Sequence, residues 1–425
     1  MKAYTAMTLP ELNQAMESTR AAFDACKAKG LNLNMARGKP AKAQLDLCSD
    51  LLTVISESED CFDGSIDARN YGDLAGLPSA RAYWAQILGC RPEQTFVGGS
   101  ASLNLMYDVI SKAYTHGLAD SPMPWCKEET VKFLCPSPGY DRHFRIAESF
   151  GAELITVPMT ADGPDMDLVE QLVRDPAVKG IWCVPKYSNP DGIIYSEQTV
   201  RRFAELKPAA PDFIIMWDNA YCIHEFDGDF VPFPDIISMC EAAGRPNMVL
   251  EFASTSKITV AGGGISVMAG NVSQLQYLTK LWGVQTISYD KLNQLRHVRY
   301  LKDKENTLRL MKRHAQIMGP KFKTVLEYLD SYITPLDIAV WNRPKGGYFV
   351  SLNAMPGTAK RTLALCKEAG VTMTDAGATF PYGIDPNDSN IRIAPSLPPV
   401  EELEQAMEVF CTCLKLAALE KLLSA

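Results

Sequence analysis

Residues 249–264 read Val249-Leu250-Glu251-Phe252-Ala253-Ser254-Thr255-Ser256-Lys257-Ile258-Thr259-Val260-Ala261-Gly262-Gly263-Gly264. The opening five residues are a short, mostly apolar run without in–out alternation. Such a run reads as a strand buried on both faces, the kind found in parallel sheets covered by helices. Similar runs recur at 131–135, 153–157, 180–184, 213–217 and 265–269. Amphipathic stretches lie between or before them at 102–113, 142–150 and 197–206. Strands alternating with helices predict an α/β fold with a mostly parallel sheet. In open sheets of this kind, ligands bind at the C-terminal ends of the strands. Lys257 falls at such an end, as do Asn189, Asp218 and Tyr221, and Gly98–Ser102 precedes a helix.

Lys257 lies just after an apolar strand, flanked by hydroxyls and followed by glycines. A lysine that forms a Schiff base must be desolvated and held near its electrophile. The hydroxyls of Ser254, Thr255 and Ser256 are suited to a phosphate, and the three glycines permit close backbone approach. Taken alone, a lysine at a strand end is ordinarily a surface residue.

Outward from this centre, the chain opens with a capped helix. Thr8 and Glu11 have capping-box spacing, Pro10 falls in the first turn, and Gly30 is the expected stop. Beyond Lys291, residues 296–318 read as one long exposed helix of mixed charge. Strands are expected at 346–352, 371–374 and 390–394, and a last helix at about 400–423. The expected division is a large domain over 46–310 and a small α+β domain built from both ends of the chain, 1–45 and 311–425.

Composition narrows the function. With 425 residues, the chain is long enough for one large core and a smaller one. A net charge of −8 without a long basic run argues against nucleic-acid binding. No run of about 18 apolar residues predicts a membrane span. Residues 1–29 lack the apolar core of a secretory peptide, so a cytoplasmic location is expected. The twelve cysteines are scattered, with no CxxC pair, and read as reduced core filler with no metal site expected.

Six short strings, in one order, carry a family resemblance. They are Asn70-Tyr71-Gly72 with Gly76-Leu77 and Arg81; Asn189-Pro190-Asp191-Gly192; Trp217-Asp218-Asn219-Ala220-Tyr221; Phe252 to Gly264; Lys345-Gly346-Gly347-Tyr348-Phe349; and Asn390-Ile391-Arg392-Ile393. Together they resemble the class I aminotransferases among the fold-type I pyridoxal-phosphate enzymes, over about residues 34–400. Arg37-Gly38-Lys39-Pro40 and Ser254-Thr255-Ser256-Lys257 bring the chain nearest to a divergent bacterial subgroup of aspartate aminotransferases.

The resemblance implies specific roles. Lys257 would hold pyridoxal 5'-phosphate as an internal aldimine and act as general base and acid. Asp218 would keep the pyridine nitrogen protonated. Asn189 and Tyr221 would bond the phenolic oxygen, and Tyr140 would stack on the ring. Gly99, Ser100, Ala101 and Ser102 would cradle the phosphate at a helix N-terminus, aided by Ser254 and Ser256. Tyr71 would reach the phosphate of the neighbouring subunit, implying a homodimer with shared active sites. Arg392 would take the substrate α-carboxylate as a bidentate pair, with Gly38 and Arg37 in the loop that closes over it. Each residue also has a plainer reading: Asp218 as a cap, Asn189 as the turn residue before Pro190, Tyr140 and Tyr221 as core aromatics, and Arg392 as a surface ion pair.

One position departs from the family pattern. Ile265 stands where the family usually has an arginine that pairs with the phosphate. The expected reaction is ping-pong transfer of an amino group from an amino acid to a 2-oxo acid, aspartate and 2-oxoglutarate first. Acidic substrates need a second cation, for which Arg37, Lys39, Lys291 and Arg296 are all open. The rival readings are an aminotransferase of broad or aromatic preference, a carbon–sulfur lyase on the same cofactor, and a non-catalytic regulatory module. About thirty residues before Arg37 are too few for a helix-turn-helix reader, which argues against the last.

Overall fold

The computed structural model describes residues 2–424. Its centre is an eight-stranded sheet: β1 (Thr95–Val97), β2 (Lys132–Ser137), β3 (Glu153–Thr160), β4 (Gly163–Pro164), β5 (Val178–Cys183), β6 (Ile214–Asp218), β7 (Val249–Ser254) and β8 (Ser266–Gly270). The spatial order is β1-β8-β7-β6-β5-β2-β3-β4. The pairings among β7, β6, β5, β2 and β3 are all parallel. Every residue of β5 and β6 is buried, as the unalternating runs require.

Two strands depart from the parallel arrangement: the two-residue edge strand β4, which turns back on β3, and β8. β8 runs antiparallel to β7, with Leu250 opposite Gly270 and Ser254 opposite Ser266. Only residues 255–265 connect them, and they contain a single 3-10 turn, Thr255–Lys257. A parallel return needs a longer crossover, usually a full helix. The chain instead doubles back through the glycines. Gly264 is needed there, because a Cβ would lie 2.9 Å from Thr255 Oγ1 and 3.4 Å from Ser100 O.

Two apolar cores cover the faces of this sheet. One gathers Phe96, Leu105, Phe133, Met216 and Phe252, and the other Leu134, Ile181, Phe203, Ile215 and Trp217. The consecutive residues Met216 and Trp217 of one strand thus enter opposite cores, which is why β6 is apolar throughout.

A further core joins the two ends of the chain. Leu12, Phe23 and Cys26 pack in one cluster with Phe322, Leu365, Val371 and Leu414. The first helix, α1 (Leu9–Ala28), starts as predicted, with Thr8 N donating to Glu11 Oε2 at 2.6 Å. It packs against the terminal helix Val400–Ser424. Leu33–Asn34 pairs in parallel with Val371–Thr372. An antiparallel sheet of Ala339–Trp341, Val350–Ala354 and Asn390–Ile393 completes this part.

Two expectations need correction. The long helix over 296–318 is two helices, Lys291–Leu301 and Lys304–Tyr332. Lys302 has φ 63°, and Asp303 caps the second helix by accepting from Asn306 N at 2.7 Å. Nor is this stretch fully exposed, since Leu301, Leu310, Met311 and Met318 are buried. The strand expected at 346–352 begins at Val350. Gly347 turns with φ 81°, and a Cβ on Gly346 would meet Tyr187 and His224 O at 2.6 Å.

Candidate active site

The C-terminal ends of β2, β5, β6 and β7 open onto a cavity of about 710 Å³. Of the residues singled out in the sequence, Arg37, Gly38, Ala101, Ser102, Tyr140, Asn189, Asp218, Tyr221, Ser254, Ser256, Lys257 and Arg392 line it. They come from separate elements, so the fold assembles the constellation.

Lys257 sits in the short turn after β7. Its amine is 4.8 Å from the ring centre of Tyr221 and 5.7 Å from that of Tyr348. Burial lowers the pKa of this amine from the ordinary lysine value, and the Asp218 carboxylate partly opposes the shift. Asp218 ends β6. Its Oδ2 accepts from His143 Nε2 at 2.9 Å, while Oδ1 is buried without a partner. The His143 ring stacks on Trp182 at 4.7 Å and 10°. The imidazole is thereby fixed on both its face and its edge. A buried acceptor left open is costly, so Asp218 Oδ1 marks a place for a donor from outside the chain.

Arg392 comes from the three-stranded sheet. Nη1 donates to Asn189 Oδ1 at 3.2 Å and Asp141 Oδ1 at 3.3 Å, and Nη2 to Thr374 Oγ1 at 3.4 Å. The guanidinium lies 4.8 Å from the centre of the Phe349 ring, and its Nε is buried without a partner. These bonds are all long, and one donor is unused. The guanidinium is oriented but not saturated, as a carboxylate site requires. Phe349 also explains Gly38: a Cβ there would stand 2.6 Å from Phe349 Cζ.

On another wall, Ser254 Oγ bonds Ser256 Oγ at 3.0 Å, and Ser256 Oγ reaches Ser100 O at 3.5 Å. The helix Ser102–Thr115 begins here with no side-chain cap on its N-terminus. Its first N–H groups therefore remain available to an anion. Gly99 and Ser100 stand behind this wall rather than in the lining; Gly99 O is taken by Ser266 N and Oγ, both at 2.8 Å. Ile265 is core, with its N bonded to Thr255 Oγ1 at 2.9 Å.

Other candidates lie elsewhere. Tyr71 is 79% exposed and outside the cavity of its own chain. Lys291 is buried against Asp73 at 2.9 Å, and neither it nor Arg296 lines the cavity. Arg37 and Lys39 do. Sequence reasoning missed Asp141, Arg142, His143 and Arg145 on the helix Asp141–Ser149, and Thr374. The available signal for the first four was their position directly after Tyr140.

The family model described as "Aspartate amino-transferase" matches residues 7–425. This chain belongs to that family. The aminotransferase is 48% identical over 404 residues to an aspartate aminotransferase of Corynebacterium glutamicum, with 95% of this chain and 94% of the relative covered. The crystal structure of an aspartate transaminase from Corynebacterium glutamicum matches with a TM-score of 0.96 at 46% identity, covering 99% of both chains. An α-aminoadipate aminotransferase from Thermus thermophilus shares the fold, with a TM-score of 0.75 at 20% identity over 95% of this chain and 98% of that one. The chain is thus a transaminase of the α/β, fold-type I class, acting on amino acids and 2-oxo acids. Members of this family generally use pyridoxal phosphate.

Proposed function

We propose that this aminotransferase carries pyridoxal 5'-phosphate on Lys257 and transfers amino groups by a ping-pong mechanism, with aspartate and 2-oxoglutarate as its first substrates. One observation carries the cofactor assignment. Asp218 offers one buried oxygen with no partner, in the cavity that also holds a lysine amine made less basic by burial. A protonated ring nitrogen is a donor of the kind that oxygen lacks.

The chain's own groups divide the work. Asp218, held by His143, favours the protonated nitrogen. Asn189 gives its Oδ1 to Arg392, which leaves Nδ2 free to donate to the cofactor's phenolic oxygen beside Tyr221. Tyr140 supplies a flat face. Ala101, Ser102, Ser254 and Ser256, with the turn Gly99–Ser100, receive the phosphate through neutral donors and the helix N-terminus. Arg392 binds the substrate α-carboxylate, and the Arg37–Gly38 loop covers it. Bound pyridoxal phosphate supplies the electron sink for charge at the substrate Cα. Lys257, once free, would take the proton from that Cα and return it as general base and acid, and burial, which lowers its basicity, favours the neutral amine that a base requires.

The preference for aspartate is supported by the name of the Corynebacterium glutamicum relative. A homodimer with Tyr71 acting across the interface is supported by that side chain's exposure. The proposed domains are 46–310 and a small domain of 1–45 with 311–425; the helix Lys304–Tyr332 runs through the boundary at 310. We place the enzyme in the cytoplasm. All twelve cysteines are free thiols, as in a reducing compartment. Among the described residues, no helix is long and apolar enough to cross a membrane.

The test is a single-turnover panel of amino donors. Aspartate is expected to bleach the visible absorbance of the loaded enzyme, and 2-oxoglutarate to restore it. Release of pyruvate and ammonia without an oxo-acid acceptor would contradict transamination as the principal reaction.

A further inference from the structure

The cavity is far more cationic than the chain that contains it. The protein carries a net charge of −8. Apart from Lys257, five cationic side chains line the cavity, Arg37, Lys39, Arg142, Arg145 and Arg392, against the carboxylates Asp141, Asp218 and Asp375. Asp218 is held at the base by His143. Arg392 accounts for one substrate carboxylate. On this reading the cofactor phosphate is met on another wall by the Ser254 and Ser256 hydroxyls and the uncapped helix Ser102–Thr115, so the remaining positive charge exceeds what a single substrate carboxylate calls for.

One of these cations is set at an electrostatic cost. Arg142 lies in the first turn of the helix Asp141–Ser149, the positive end of the helix dipole, where cations are disfavoured and anions favoured, and Arg145 follows about one turn on. Their spacing of three puts them on one face. Both are exposed, and both border the cavity. Arg142 has one carboxylate near it, Asp141 at 4.0 Å. Arg145 has no ion-pair partner among the described residues. Asp141 in turn touches Arg392 at 3.3 Å, so this helix end adjoins the α-carboxylate site. The buried, unused Nε of Arg392 is an independent sign that the same corner awaits an anion.

We propose that Arg142 and Arg145 together read the second carboxylate of a dicarboxylic substrate, from the same chain that supplies Arg392. The inference rests on the aminotransferase reading above, in which aspartate and 2-oxoglutarate are the first substrates, and names the residues of this chain that select them. Arg392 fixes the α-carboxylate. The arginine pair on the neighbouring helix end takes the side-chain carboxylate, which also offsets the helix dipole. Charge-assisted hydrogen bonds are worth about 1.5–3 kcal/mol each, or roughly tenfold to a hundredfold in affinity.

The experiment compares holoenzyme with R142Q, R145Q and the double variant. Succinate, with two carboxylates, and propionate, with one, are titrated against the visible absorbance of the bound cofactor. The ratio of kcat/KM for aspartate over alanine is measured alongside. Each single variant is expected to lose roughly tenfold to a hundredfold in succinate affinity relative to propionate, and the double variant at least as much, with a similar fall in the aspartate/alanine ratio. The Arg→Lys pair should recover part of both. Both side chains are exposed, so the absorbance itself reports that the variants fold and load. Equal losses for succinate and propionate would make the arginines merely structural. A succinate preference retained by the double variant would place the reader elsewhere, on Arg37 and Lys39 or on a second subunit. Wild-type enzyme with neither absorbance nor transamination would sink the parent reading, which is a distinct outcome.

Discussion

Asp218, Asn189 and Arg392 each leave one polar group without a protein partner or free to donate, and all three face the same cavity. Nothing in their local strings forces that. Asn189-Pro190-Asp191-Gly192 and Asn390-Ile391-Arg392-Ile393 mark the residues, but the bond from Arg392 to Asp141 spans 251 positions and that from His143 to Asp218 spans 75. The anchors were therefore legible in the sequence, because short motifs carry them. Their supports, Asp141, His143 and Thr374, were not, because only folding brings them near. Glu251 offers a separate test at this scale. It is buried within β7, takes a hydrogen bond from Asn219 Nδ2 at 2.7 Å, and burial pushes its carboxyl up to about 8. The folded chain thus holds a proton that the unfolded chain releases near 4.5. Stability from this group is fully present below that value and is lost as pH rises toward 8. Glu251→Gln cannot ionise and keeps the acceptor. Its stability advantage in denaturant titrations is expected to be larger at pH 8 than at pH 5. A constant difference would mean that the carboxyl is not protonated in the fold.

Strands and helices were legible where period and length agree. β5, β6 and β7 fall within two residues of their apolar runs, and α1 begins at its capping box. Direction was less legible. β8 is as apolar as its neighbours, and only the shortness of the 255–265 connection makes it antiparallel. The helix break at Lys302 was hidden for another reason: helical spacing of charges continues across it, and a lysine at positive φ has no signature of its own. The pairing of Leu33–Asn34 with Val371–Thr372 is equally invisible in sequence, yet it ties the two ends of the chain together. Gly370 makes it possible. Its φ is +84°, and a Cβ would stand 1.9 Å from Leu31 O. Gly370→Ala is expected to destabilise the protein in denaturant unfolding by about 1–3 kcal/mol from backbone strain, and further through the clash with Leu31 O. A neutral effect would show that this pairing is dispensable.

At the scale of the whole molecule, the proposed homodimer makes one prediction that a single chain cannot satisfy. If Tyr71 serves the partner's cofactor, mixing K257A subunits with Y71F subunits creates hybrids in which one site is intact. Activity after subunit exchange should then exceed that of either parent. No gain would mean that Tyr71 acts within its own chain or not at all. Among all the lysines of this transaminase, Lys257 is the one proposed to be joined to the cofactor. The most direct test of that linkage is borohydride reduction of the holoenzyme followed by peptide mapping. A single pyridoxyl adduct is expected on Lys257, absent from K257A. An adduct on a different lysine, or none on enzyme that still transaminates, would contradict it.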